Sequence, residues 1–476
     1  MALLVLIMLL GYGNTFSKPF HMDDAWLFSA SENSTHTDDD SLENPGPARA
    51  LVEFVNVQRH RGLIMVTMHL NYRLHAFNVF GYHVVNVIIH FAAAWTLFAL
   101  VRRTLLLPRW QGRFDHSAFW LAFPVALFWL MHPLQTNAVT YIIQRMESMM
   151  GLFYFLTLYC LLRAAQSPQA GEAIQTLPTA VQLRWLQRAW QLPPSWYWYL
   201  TGWVCCALGC CCKEVMVTLL PVLLAYDYVF LARWEGDRRW FVTAAILALG
   251  EILRRRWLFY LGIAAMAFWV AMPQLTREKI TDASAGFNVP SLPHEKYWLT
   301  QVWVQLYYIR LSIIPYPQVF WYRDVWPDAE TGQWATVWPA ALHLGALGLL
   351  ILWLLIRRHW IGFLGVWFFG VQAITTVVPL RDVIFEHRLY LPLAAPCCLV
   401  VIGGYLSLQA IFGPWRGIIV GVVFAFAITA ALTVLTAKRN EDFRTDATIW
   451  ASWDVLSKQK PDVLEMLYLC FTYRGQ

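Results

Sequence analysis

Apolar positions in this chain do not alternate with polar ones; they come in long unbroken runs, separated by short loops whose charges are mostly arginine. Runs of this length read as helices able to cross ~30 Å of hydrocarbon. The pattern predicts eleven spans, near 1–13, 77–101, 117–132, 147–163, 196–212, 215–232, 257–272, 337–356, 361–380, 389–411 and 418–437. The first run is short for a crossing and lacks the basic residues that open a secretory signal. That predicts a late start or a chain cut at its beginning.

Orientation follows from the arginines, which collect on the cytoplasmic side. Arg102, Arg103, Arg109 and Arg113 follow the second run, and Arg163, Arg184 and Arg188 the fourth. Arg233, Arg238, Arg239 and Arg254 to Arg256 follow the sixth, Arg357 and Arg358 the eighth, and Arg416 the tenth. Segment 238–256 has an apolar centre only about half a span long, so it is expected to lie in the interface as an amphipathic helix. Counting 298–314 as a crossing would put Arg357 and Arg358 outside. Residues 273–336 therefore read as one outward loop holding a membrane-associated helix. The loop 14–76, the turn His132 to Asn137, Lys213-Glu214, Arg381 to Arg388 and the tail from Lys438 then share the outward face.

Composition agrees: 58% of residues are hydrophobic, 14% are charged and 26 are tryptophan, which excludes an ordinary soluble domain. The fold class is all-α, a polytopic membrane protein. The net charge of +6 is loop arginine, a topology signal with no nucleic-acid partner implied. Of nine cysteines, eight sit in or beside apolar runs as small hydrophobes, and no paired CxxC spacing supports zinc.

Candidate chemistry lies on the outward side. Asp23 and Asp24, in Phe20-His21-Met22-Asp23-Asp24-Ala25-Trp26, follow the first run, and carboxylates kept beside a bilayer point to function. They read as a solvated pair, as a general base for an acceptor hydroxyl, or as ligands of a divalent cation, Mg or Mn. Asp38-Asp39-Asp40 sits in a Ser/Thr/Asn-rich stretch and reads as solvated loop. His83, Asn86 and His90 share one helix face, suited to interhelical hydrogen bonds or, for His83, to a site. His132-Pro133 ends the third run, and Arg145-x-Glu147 opens the fourth, either lining a site or closing a loop as an ion pair. Lys213 reads as a snorkelling anchor or a phosphate ligand. Glu386-His387-Arg388-Leu389-Tyr390-Leu391-Pro392 concentrates charge at the mouth of a span, where Arg388 can grip a phosphate and Glu386 can orient Arg388 or His387.

Taken in order, these blocks resemble the membrane domain of the TMTC-type (transmembrane and TPR-containing) protein O-mannosyltransferases and their bacterial relatives, within the GT-C glycosyltransferases. The matching pieces are Phe20-x-x-Asp23-Asp24, Leu70-Asn71-Tyr72-Arg73-Leu74, Gly81-Tyr82-His83-x-x-Asn86-x-x-x-His90 and His132-Pro133-Leu134-x-Thr136-x-Ala138-Val139-x-Tyr141 with Arg145. Lys213-Glu214 with Pro221 and Asp227, Glu386-x-Arg388-Leu389-Tyr390-Leu391-Pro392, and Arg439-Asn440-x-x-Phe443-Arg444 with Trp450 complete the set. The chain departs from that pattern where Arg61-Gly62 replaces an Arg-Pro and where His387 replaces a second arginine. It departs again at 446–476, a single partial helix-turn-helix in place of a TPR array.

The resemblance implies a GT-C fold over 1–437, with a tail, 438–476, that begins a TPR-like region. It implies inverting transfer of one sugar from a polyprenyl-phosphate donor to a protein hydroxyl. Asp23 would be the catalytic carboxylate and Asp24 its support, with a divalent cation in those relatives that use one. Lys213 and Arg388 would hold the donor phosphate. His83, Asn86, His132, Arg145, Glu147, Glu386 and Tyr390 would line or brace the cavity. The expected setting is a bacterial inner membrane with the site facing the periplasm. The alternatives are a glycolipid or polysaccharide acceptor, or an inactive scaffold subunit among membrane partners. A transporter is disfavoured, because no inverted repeat is visible.

Overall fold

The structure is a computed structural model that describes residues 2–25, 61–167, 194–232, 241–276, 294–320, 322 and 334–450. Asp38 to Asp40 and most of the expected TPR-like tail lie outside the described residues. Every regular element among the described residues is helical. The helices are α1 (Ala2–Tyr12), α2 (Gly62–His75), α3 (Val79–Leu105), α4 (Ala118–Leu130), α5 (Arg145–Gln166) and α6 (Pro194–Cys210). They continue as α7 (Glu214–Leu231), α8 (Phe241–Thr276), α9 (His294–Ile313), α10 (Trp334–Ile356), α11 (Trp360–Val377), α12 (Ala394–Gly413) and α13 (Trp415–Asp442).

Among these, α3, α5, α7 and α10 to α13 are long and apolar enough to cross a membrane, and α4 with Pro133–Val139 forms an eighth, bent by 51°. The chain is an all-α polytopic membrane protein. The bend falls where Pro133 has no N–H to continue the ladder, and His132 caps the new turn through its ring nitrogen. The other three expected spans correspond to α1, of 11 residues, α6, of 17, and the second half of α8.

Helix α8 breaks at Arg256, the boundary between the expected interfacial segment and the expected span. The physical reason is an ion pair. The Arg256 guanidinium donates to both oxygens of buried Asp227 at 2.7 Å, and the Tyr260 hydroxyl donates to the same carboxylate at 2.7 Å. A charge pair buried this deeply needs such full satisfaction to persist.

The core is built from α3, α4 and α5 with the chain after residue 386. Tyr390 sits at its centre, donating to or accepting from His90 at 2.9 Å while its carbonyl accepts from Trp129 Nε1 at 2.8 Å. Gly151 makes room for it, since a Cβ there would meet the Tyr390 ring at 2.5 Å. Helices α10 and α13 instead expose leucine and phenylalanine outward, as at Leu349 and Phe426, the arrangement of helices that face lipid. Helix α9 lies inside the segment 273–336, where a helix is expected. Its buried Gln301 and Gln305 donate to the Val383 carbonyl and the Thr376 hydroxyl, so it packs on the loop that carries Arg388.

Candidate functional site

The two adjacent aspartates have different fates. Asp24 is fully buried, and its oxygens accept from the backbone N–H groups of His21 at 2.9 Å and Ile143 at 2.7 Å. Burial raises its carboxyl from 3.8 to about 7, outweighing those two hydrogen bonds, which act the other way. Asp23 is exposed, and its own N–H donates to the Tyr141 hydroxyl at 3.0 Å. Asp24 therefore pins the turn Met22–Ala25 to the 141–143 segment, and the pinned turn presents Asp23 to the outside. Met22 has φ +40°, a left-handed backbone that a methionine rarely adopts. Such strain, of order 1–3 kcal/mol, is held only where the surroundings over-determine it.

The residues expected to line the site divide into a buried brace and a cationic face. Arg145 belongs to the brace. Buried, it donates to Asn86 Oδ1 at 2.6 Å, to Thr67 at 3.3 Å and to the Tyr82 carbonyl at 3.1 Å. Asn86 in turn donates to the carbonyls of Val139 and Ile142, fixing the stretch on which Asp24 rests. His83 bonds the Lys18 carbonyl at 2.9 Å, anchoring the chain that leads into the aspartate turn. The alternative of an Arg145–Glu147 ion pair is not what forms: Glu147 pairs with Lys213.

The turn of 386–389 splits in the same way. Glu386 does not orient Arg388 or His387. It accepts from Val319 N–H at 2.6 Å and from Tyr322 at 3.0 Å, and it pairs with Arg439 at 3.3 Å. Arg388 faces the other way. It donates to the carbonyls of Val383 and Asp382 at 2.7 and 2.6 Å and stacks over Phe385 at 5.3 Å. His387, 6% exposed, stacks on Phe385 at 4.8 Å, and its Nδ1 has no partner among the described residues. Burial holds its imidazole well below the usual value, reinforced by the cationic fields of Lys213, Arg388 and Arg61. His132 caps its own turn and faces the Ser312 carbonyl of α9, under this site. Tyr390 is a core ring supporting it from below.

Arg61 is the residue that sequence reasoning missed. Its pattern showed only a departure at Arg61-Gly62, but the start of α2 docks on the turn before Lys213 through a Leu63 N–H to Cys211 carbonyl bond of 3.2 Å. Three cations from distant parts of the chain thus converge on one neutral histidine, with Glu147 as the single carboxylate in a described ion pair with any of them. That arrangement suits an anion rather than a cation. A divalent metal at Asp23 and Asp24 does not fit. Both Asp24 oxygens already accept backbone N–H bonds, and no group of three potential ligands gathers among the described residues.

The structure is that of a many-span helical membrane protein with an exposed carboxylate, Asp23, on a pinned turn and a cluster of cations whose charges act on His387. Its curated relatives are TMTC-type proteins. The chain is 26% identical over 265 residues to "Protein O-mannosyl-transferase TMTC2" of Mus musculus and to that of Homo sapiens, covering 54% of this chain and 26% of each relative. With "Protein O-mannosyl-transferase TMTC4" of Mus musculus it is 23% identical over 427 residues, 83% of this chain and 53% of the relative. The chain thus spans from about a quarter to about half the length of these relatives. No family model and no solved structure matches the chain.

Proposed function

We propose that the chain transfers one sugar, mannose by the names of its relatives, from a polyprenyl-phosphate carrier to a protein hydroxyl. The observation that supports the reading is that exposed Asp23 stands on a turn pinned to residues 141–143, while Lys213 pairs with Glu147 about a turn further along the same segment. In this mechanism Asp23 takes the proton of the acceptor hydroxyl as its oxygen bonds to the anomeric carbon. The bond from that carbon to the carrier phosphate breaks, and the electron pair leaves with the phosphate. Arg388, Lys213 and Arg61 stabilise the charge that develops there. A single displacement inverts the anomeric centre. His387, neutral and unpartnered at Nδ1, is placed among the same cations to meet a phosphate or sugar oxygen.

The distribution of loop arginines supports an extracytoplasmic site, periplasmic in a bacterial inner membrane. The test is transfer of labelled mannose from synthetic polyprenyl-phosphate mannose by purified protein, with membrane extract as acceptor. Protein-linked label from wild type and none from Asp23→Asn is the expected result. Label in lipid alone would replace the protein acceptor with a glycolipid. Equal transfer by both proteins would remove Asp23 from the mechanism.

A further inference from the structure

The end of the bundle away from the aspartates holds a second built feature. Helix α3 runs from His83 at one end to Thr104 at the other, roughly 30 Å at 1.5 Å per residue, so Thr104 lies near the opposite membrane surface. There a cavity of about 80 Å³ opens between α3, α5, α7, α11 and α12, lined by Leu97, Val101, Phe155, Phe230, Phe363 and Trp367 among others. Most polar side-chain atoms of its wall are turned to partners, and none is exposed to the cavity. The Thr104 and Tyr226 hydroxyls meet at 2.6 Å, Trp110 Nε1 donates to the Thr104 carbonyl at 2.9 Å, and Trp367 Nε1 donates to the Leu391 carbonyl at 2.8 Å. The wall therefore presents carbon. Water needs two to four polar partners to settle, so hydrocarbon fills such a space better.

At the rim stand two guanidiniums. Arg109 lies over Trp110 at 5.1 Å and over Phe230 at 5.3 Å, two rings that also line the cavity. Its Nη2 donates to the Arg358 carbonyl at 3.0 Å, and Arg358 lies over Tyr228 at 5.4 Å. Arg109 has no carboxylate partner among the described residues. Burial lowers its pKa to about 10, and the neighbouring charge of Arg358 adds to the effect.

We infer that this end of the bundle binds one anionic membrane phospholipid, with its phosphate between Arg109 and Arg358 and the end of one acyl chain in the cavity. The charge is complementary: Arg109 and Arg358 are like charges close enough to act on one another, the Arg358 Nη2 also donates to the Ala232 carbonyl, and the planar donors of both match the oxygens of a phosphate. Basic pockets between spans on the cytoplasmic side suit acidic headgroups for this reason. The apolar cavity supplies what a soluble phosphate could not use. The inference is independent of the transfer reaction, because nothing in it involves Asp23 or the cations at the other face.

The test is lipid retention by the purified full chain in micelles holding equal phosphatidylglycerol and phosphatidylcholine, read by native mass spectrometry. Wild type is expected to keep one phosphatidylglycerol in preference to phosphatidylcholine. Arg109→Gln, which removes the charge at the rim, is expected to cut that preference about fivefold, while Arg102→Gln, an exposed cation near the same end of α3, leaves it unchanged. Leu97→Trp, which fills the cavity, is expected to release the lipid with the rim intact. Glycerol 3-phosphate, the headgroup phosphate without chains, is expected not to displace it. Equal retention of the two lipids overturns the inference. Equal losses in Arg109→Gln and Arg102→Gln, or displacement by glycerol 3-phosphate, overturn it as well, the first meaning diffuse surface attraction and the second a bare anion site.

Discussion

Two charge clusters meet at the turn of residues 386–389, and they are built on opposite principles. Around Glu386 the opposite charges are paired, with Arg439 Nε alone among the guanidinium nitrogens lacking a partner among the described residues. The carboxylate takes three donors, and Arg439 divides its own between Glu386, Asp442 and the Gln318 carbonyl. Around His387 the account is left open, with Arg61, Lys213 and Arg388 against Glu147 and an imidazole nitrogen that bonds nothing described. Both clusters are buried or half-buried, so polarity alone does not separate them. Satisfaction does. A closed network holds α13 and the 315–322 segment in place, whereas an open one keeps capacity for a ligand that brings negative charge.

The same contrast runs through the aspartates, and the largest expected effect tests it there. Asp23→Asn should lower transfer by about 10²–10⁴-fold, the range of a general base, with the thermal unfolding midpoint unchanged. A drop in that midpoint matching the loss of activity would make Asp23 a structural residue. Next, Arg439→Ala should leave Glu386 buried and unpaired and destabilise the protein by about 3–5 kcal/mol, seen in thermal unfolding in detergent. If stability holds, the closed network is not what fixes α13.

Asp24→Asn should cost about 1–3 kcal/mol, because an amide can accept from only one of the two N–H groups that Asp24 satisfies. It should also change the pH profile. With the folded pKa raised to about 7, the folded state keeps a proton that the unfolded chain gives up near 3.8. Asp24's contribution to stability is thus fully present below about 4, is lost as pH rises to about 7, and is flat above. Unfolding midpoints of wild type minus Asp24→Asn, followed from pH 4 to 8, should fall over that window; a level difference would mean the carboxyl ionises normally. The smallest effect belongs to the open cluster. Arg61→Gln should raise the donor KM about tenfold, ~1.4 kcal/mol, and leave kcat and stability near wild type. An unchanged KM would take Arg61 out of the binding face.

The all-helical class, the spans and the acidic pair at the outer end of the first run were legible from patterning, because a bilayer punishes every alternative. The break in α8 was legible too, as the place where arginines end an apolar half-span. Pairings were not. Arg145 and Glu147 are neighbours in sequence yet bond to α3 and to Lys213, since the start of α5 turns them toward different helices. Glu386 and Arg388 also part, because in a 3₁₀ turn of about three residues side chains two positions apart point to different sides. Arg61 carried no signal at all, as nothing local announces that α2 begins beside Lys213.

By itself, then, the sequence determined the all-helical class and where most of the long apolar helices lie. Transfer free energy acts on each segment separately and can be summed along the chain. Only the tertiary structure decided which of the charged groups are buried struts and which are open. That choice depends on whether a partner from a remote segment arrives to satisfy them. Asp24 meets Ile143 and Glu386 meets Arg439, while Asp23 stays exposed and His387 keeps an unpartnered nitrogen among cations.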